Sequence, residues 1–275
     1  MPRATVYRAG LVLAMLVPAA PGLAHEFWIE PRDFTVEPGE AIEADLKVGQ
    51  DFKGNRYAFN PRNHTRFDIV MAGGETKVAS RIGDVPAVAQ AVEAPGLAVL
   101  VHQTTDSRLT YDDPAIFRRF VEEEGLDGTL EAHAQRGLPE SGFRELYSRH
   151  VKALVKVGEG PRADRELGLP IELTVEGDPY AEPRPDSVTI RATYGGEPMA
   201  GALVNVFARP LGKLEGEATR LRPRADAEGR VVVPLSPGTR YLANVVRMRE
   251  PEPLKAEDSG AVWESLWAST TFATD

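Results

Sequence analysis

No cysteine occurs in the 275 residues, which removes disulfide scaffolds, thiolate zinc sites, iron–sulfur clusters and thiol nucleophiles together. Basic residues are in deficit as well: 32 Lys and Arg stand against 41 Asp and Glu, a formal −9 and the wrong sign for a surface that tracks nucleic-acid phosphates. Histidine is scarce. A site of several imidazoles must draw on five residues: His25, His64, His102, His133 and His150. Enzyme signatures are missing too, with no Gly-X-Ser-X-Gly elbow, no His-Glu-X-X-His, no phosphate loop and no dinucleotide fingerprint. The acidic runs Asp112-Asp113 and Glu122-Glu123-Glu124 fit helix-end electrostatics and solvation better than acid–base catalysis, so the chain reads as a binding protein and not an enzyme. What remains is ordinary globular material, 42% hydrophobic and 27% charged, long enough for about two domains.

The start of the chain has the layout of a secretory signal. Arg3 and Arg8 precede the apolar run Ala9–Val17, and small residues follow up to Gly22-Leu23-Ala24. The apolar centre is shorter than the ~20 residues that span a bilayer, so cleavage after Ala24 and a soluble, periplasmic product are expected. Without Arg3 and Arg8 the remainder holds 30 basic and 41 acidic residues, a formal −11. The cut would make His25 the first residue, and an amino-terminal histidine offers a metal its α-amine and its imidazole Nδ1 in one chelate ring. The α-amine pKa is about 7.7–8.0, so such a site forms near neutral pH and weakens in acid.

Residues 25–177 are expected to form a β-sandwich domain. Strands are predicted at Glu26–Glu30, Ala41–Val48, Thr65–Met71 and Leu97–Gln103, separated by Pro and Gly turns. A helical insertion at 113–150 opens with Asp113 as N-cap and Pro114 at the first helical position. Ile116, Phe117, Phe120 and Val121 make its apolar stripe, and Gly125 stands where it should stop. A second helix is predicted over Leu126–Arg136 and a third from near Ser141, the insertion closing over the first β-domain, with Lys152–Val157 a returning strand. The Pro-rich stretch Asp178–Pro185 marks a boundary, and residues 178–275 are expected to form a second, immunoglobulin-like or transthyretin-like β-domain. Its predicted strands, with one just before the boundary, are Ile171–Val175, Ser187–Tyr194, Ala202–Ala208, Gly229–Leu235, Arg240–Val246 and Thr270–Ala273.

Several segments together carry a resemblance: Ala24-His-Glu-Phe-Trp-Ile-Glu-Pro31, Phe120-Val-Glu-Glu-Glu-Gly-Leu126, Glu145–Val155, Gly195–Val204 with Asp226-Ala-Glu-Gly-Arg-Val231, and Trp263-Glu-Ser-Leu-Trp-Ala268. Over nearly the whole chain after Ala24 the sequence resembles the domain-of-unknown-function 4198 family, exported proteins commonly labelled periplasmic components of cobalt or nickel transport. The resemblance implies a histidine just after the cleavage site, matched here by His25, and a divalent transition metal as cargo, with a membrane transporter component as partner. Many members also carry histidine at the positions of Gln50-Asp51 and Arg247, which are not imidazoles in this chain.

His102, on the strand closing the first β-domain, is the favoured partner of His25, with His64, in a turn before a strand, as third donor. Imidazole and amine nitrogen suit nickel, cobalt, copper or zinc. His133 is expected on a polar helix surface, and His150 on a helix face with Leu146. Glu26 and Asp51 are possible oxygen ligands. The aromatic residues Phe27, Trp28, Trp263 and Trp267 raise a carbohydrate-binding alternative, although core packing is the commoner role of such residues. An amino-terminal histidine with a second one can also hold copper for oxidative chemistry, but the chain resembles no such enzyme. A non-metal cell-envelope or adhesion-type module is the alternative to the metal-binding reading.

Overall fold

The computed structural model describes residues 25–213 and 218–274, and the expected signal segment lies outside them. The architecture is mainly β. Strands form at Glu26–Pro31, Ala41–Gln50, His64–Met71, Gly96–Thr104, Ile171–Glu176, Ser187–Tyr194, Asn205–Pro210, Arg230–Pro234, Thr239–Arg249 and Ala261–Ala273, each overlapping a predicted one. Alternation explains them: in Ala41–Gln50 the side chains of Ile42, Ala44 and Leu46 share one face and enter the core.

The frame is a ten-stranded sheet. Its path runs Thr219–Leu221, Asn205–Pro210, Thr239–Arg249, Ala261–Ala273, Phe143–Val157, Gly96–Thr104, His64–Met71, Gly74–Lys77, with two short strands added beside Phe143–Val157. At its centre Phe143–Val157 and Ala261–Ala273 run parallel, Tyr147 opposite Ser265 and Arg149 opposite Trp267. One sheet thus crosses the expected partition at residue 178, and the small sheet built on Ser187–Tyr194 also takes Ile171–Glu176 from before it. A further small sheet pairs Glu26–Pro31 with Ala41–Gln50, which in turn pairs with Lys53–Tyr57 and Val88–Ala91.

Glu26–Pro31 is buried along its whole length, so the backbone groups facing away from Ala41–Gln50 need partners. The large sheet supplies them: Ser269 Oγ donates to the Phe27 carbonyl and Thr271 Oγ1 to the Ile29 carbonyl, both at 2.7 Å. These two bonds hold Glu26–Pro31 against the large sheet and so help to position His25.

The first predicted helix forms at Pro114–Glu123, with Asp113 Oδ1 accepting from the Ala115 amide at 2.9 Å, and a second at Thr129–Gln135. The third expected helix does not form: residues from Phe143 onward are the 15-residue strand Phe143–Val157. Nor do the helices close over the first half alone. Phe117, Phe120 and Val121 pack with Val246, Met248, Trp263 and Trp267, and the Phe120 ring stacks on Trp267 at 5.4 Å.

Candidate functional site

Beside Glu26–Pro31, over the interior strands Gly96–Thr104 and Phe143–Val157 of the large sheet, a cleft of about 370 Å³ remains open. Alternation along the first strand sends His25 and Phe27 into it. Gly96–Thr104 contributes His102 and Thr104, Phe143–Val157 contributes Tyr147 and Arg149, and the turn before His64 contributes Asn60 and Asn63. Tyr57 closes one side, its hydroxyl accepting from Asn63 Nδ2 at 2.8 Å.

His102 is only 2% exposed and sits opposite Phe67 in the register of its strand pair. Its ring contacts Phe67 edge-on at 4.7 Å, Phe27 at 5.3 Å and His64 at 5.2 Å between centroids. Burial, reinforced by His64, pushes the His102 pKa down to about 3, and burial lowers that of half-buried His64. Both imidazoles are therefore neutral near pH 7, the state in which a ring nitrogen can ligate a metal. His102 Nδ1 is buried with no hydrogen-bond partner, which costs about 1–3 kcal/mol unless something binds there.

Arg149 stands over two rings, its guanidinium carbon 4.7 Å from the Tyr147 centroid and 5.6 Å from that of Phe27. Its Nη2 donates to the His25 carbonyl at 3.2 Å, while Nε is buried and unpartnered. Burial lowers its pKa, opposed chiefly by Tyr147.

Glu26 and Asp51, the possible oxygen ligands, do not line this cleft. Glu26 faces the opposite side, where burial and then the charge of Glu124 push its pKa up to about 8, and Asp51 pairs with Arg220 at 3.6 Å. Glu124, raised to about 7 mainly by burial, accepts from Asn205 and Asn244 at 2.9 and 3.3 Å. Among the described residues, no group of three or more His, Cys, Asp or Glu side chains is placed to hold a metal ion.

The family model for a domain of unknown function, DUF4198, matches residues 22–249. The chain belongs to this family. No curated protein sequence matches this DUF4198 protein. Among solved structures, a mutant Salmonella alpha-2-macroglobulin is 13% identical over 98% of this chain and 16% of that one, at a TM-score of 0.22. Escherichia coli alpha-2-macroglobulin activated by porcine elastase is also 13% identical, over 92% of this chain and 20% of that one, at 0.22. The DUF4198 chain thus spans a fifth or less of those proteins, and likeness at this level carries no argument about it.

The remaining histidines of the DUF4198 protein have partners in the core. His133 lies in the second helix but is not on its surface: Nδ1 accepts from Trp263 Nε1 and Nε2 bonds the Pro139 carbonyl, both at 3.0 Å. Donation by the Trp263 N–H requires a bare Nδ1, so the proton is on Nε2. His150 is on a strand and not a helix; its Nε2 shares a 3.1 Å hydrogen bond with Ser148, its Nδ1, like that of His102, is buried without a partner, and burial lowers its pKa to about 4. The aromatic residues do not gather into a sugar platform, since Trp28 is buried under the first strand while Trp263 and Trp267 belong to the helix-covered core.

Sequence reasoning did not single out Arg149, Tyr147, Tyr57, Asn60 or Asn63. Each looks like an ordinary polar or aromatic residue, and only strand pairing brings them to one cleft.

A pH dependence follows from the polar interior beside this cleft. Glu145 is buried, takes hydrogen bonds from Tyr111 at 2.6 Å and from Ser265, and has its pKa pushed up to about 7, chiefly by burial. A carboxyl raised in the folded state stabilises the fold fully below its unfolded value of 4.5, and that contribution is lost as pH rises through about 7. The Glu145→Gln variant should therefore lose on the order of 2–3 kcal/mol less than wild type between pH 5 and 8, read from urea midpoints at fixed m. Parallel curves would rule the assignment out. His102 acts with the opposite sign: with a folded pKa of about 3, its contribution is complete above 6.5 and fades as pH falls.

Proposed function

We propose that this DUF4198 protein is a periplasmic binding protein for a divalent transition metal, nickel or cobalt by family resemblance, that delivers the ion to a membrane transporter and does no catalysis. The observation that carries this reading is His102: a neutral, buried imidazole with an unpartnered Nδ1, in ring contact with His64 and lining one cleft with His25. In the uncut chain His25 is tied to Ala24 by a peptide bond. Cleavage after Ala24 would free an α-amine beside it, adding the nitrogen that the side chains alone lack. His25 would chelate through amine and imidazole, and His102, with His64, would supply the further donors.

Titrating Ni²⁺ into protein that begins at His25 should reveal one site, and protein that retains Ala24 should bind about 100-fold more weakly. Affinity should fall roughly tenfold per pH unit below the amine pKa. Equal binding by the two forms removes the amino-terminal role.

A further inference from the structure

The cleft is electrostatically unusual for a cation site. The chain carries 41 acidic residues, yet among the described residues none of the cleft's lining side chains is an Asp or Glu, and the permanent cation there is Arg149. Neutral imidazoles can supply donor atoms but cannot offset two positive charges placed beside a guanidinium in a partly dry cleft. Like charges at short range away from bulk water repel strongly. Arg149 also lacks a carboxylate partner: it donates to the His25 carbonyl, interacts with the Tyr147 side chain, rests on two aromatic rings and keeps a buried Nε with no partner. Glu145, the carboxyl nearest to it in the chain, is already occupied by Tyr111 and Ser265. A guanidinium with free donors is built to take a carboxylate in a forked pair. Asn60 and Asn63 add amide groups at the rim, and the volume of about 370 Å³ exceeds what one ion needs.

We propose that the cleft takes its metal already chelated by a small polycarboxylate, one carboxylate of which pairs with Arg149. This rests on the metal reading above and names the chemical form of the cargo. The chelate brings the negative charge that the protein leaves out, and it fills the polar rim while the metal meets the histidine nitrogens.

The test uses protein beginning at His25 and three titrants: Ni²⁺ alone, citrate alone, and a 1:1 nickel–citrate complex. The complex should bind at least tenfold more tightly than either component. In Arg149→Met the ratio of complex to free-metal affinity should fall to about one, and Arg149→Lys, which keeps the charge without the fork, should retain part of it. Free Ni²⁺ binding as tightly as the complex, citrate stripping the metal from the protein, or an unchanged ratio in Arg149→Met would each overturn the proposal while leaving the metal site standing. Citrate binding alone as tightly as the complex would overturn it through the metal, and no binding of any titrant would remove the metal reading as well. Should Arg149→Met not fold, the wild-type comparison and Arg149→Lys still decide the matter.

Discussion

Lys152→Ala should lower the unfolding free energy by about 3–5 kcal/mol, the cost of leaving buried carboxylates without their cation. Lys152 Nζ lies 2.9 Å from Asp164 and 3.1 Å from Glu172, and all three side chains are buried. The two acids also organise the chain between the sheets. Asp164 accepts from the Val175 amide at 2.9 Å, and Glu172 accepts from the amides of Leu167 at 2.8 Å and Leu169 at 3.2 Å. Removing the ammonium therefore strands two charges and loosens the segment that joins Phe143–Val157 to Ile171–Glu176. The combined variant Lys152→Met, Asp164→Asn, Glu172→Gln should be far milder, because it removes the charges together. Urea unfolding monitored by circular dichroism reads both; a loss below about 1 kcal/mol for Lys152→Ala would mean that the carboxylates find water or protons instead.

Trp28→Ala should cost about 3–5 kcal/mol and should also weaken metal binding by protein that begins at His25. The indole is fully buried, meets Phe52 edge-on at 5.6 Å and packs near Phe207 and Leu242. Its Nε1 donates to Glu30 Oε2 at 3.1 Å, and Glu30 is held in turn by Lys47 at 2.9 Å and Arg240 at 2.6 Å. The ring has been given its space by a glycine: a Cβ on Gly54 would fall 2.6 Å from Trp28 Cη2. Since Trp28 pins the strand whose first neighbour is His25, losing it should loosen the strand and blur the position of the amino terminus. A variant that keeps wild-type nickel affinity while losing stability would uncouple the strand anchor from the site.

Much of the strand pattern was readable because one face of each strand enters a core, which leaves a period of two in the sequence, as in Ala41–Gln50. The helix start was readable from Asp113-Pro114, where cap chemistry is local. The segment Phe143–Val157 misled for a specific reason: Glu145, Ser148, His150 and Lys152 are polar yet buried, so the alternation was hidden among residues that look solvent-facing. The partners of Glu145 and Lys152, namely Tyr111, Ser265, Asp164 and Glu172, lie outside this strand and leave no trace in the local pattern. For the same reason His133 looked like a surface residue of its helix, and His150 looked like a helix-face residue.

The sequence by itself determined the family, the β-rich class, the absence of thiol chemistry and the shortage of histidine, since composition, motif and short-range periodicity are properties of neighbouring residues. It also singled out His25, His64 and His102. Only the tertiary structure decided that His25 and His102 share a cleft, that His64 touches His102, and that Arg149 faces them without a carboxylate in the lining. The parallel pairing of Phe143–Val157 with Ala261–Ala273 joins distant parts of the chain, and its register depends on burial and hydrogen bonding across the whole sheet.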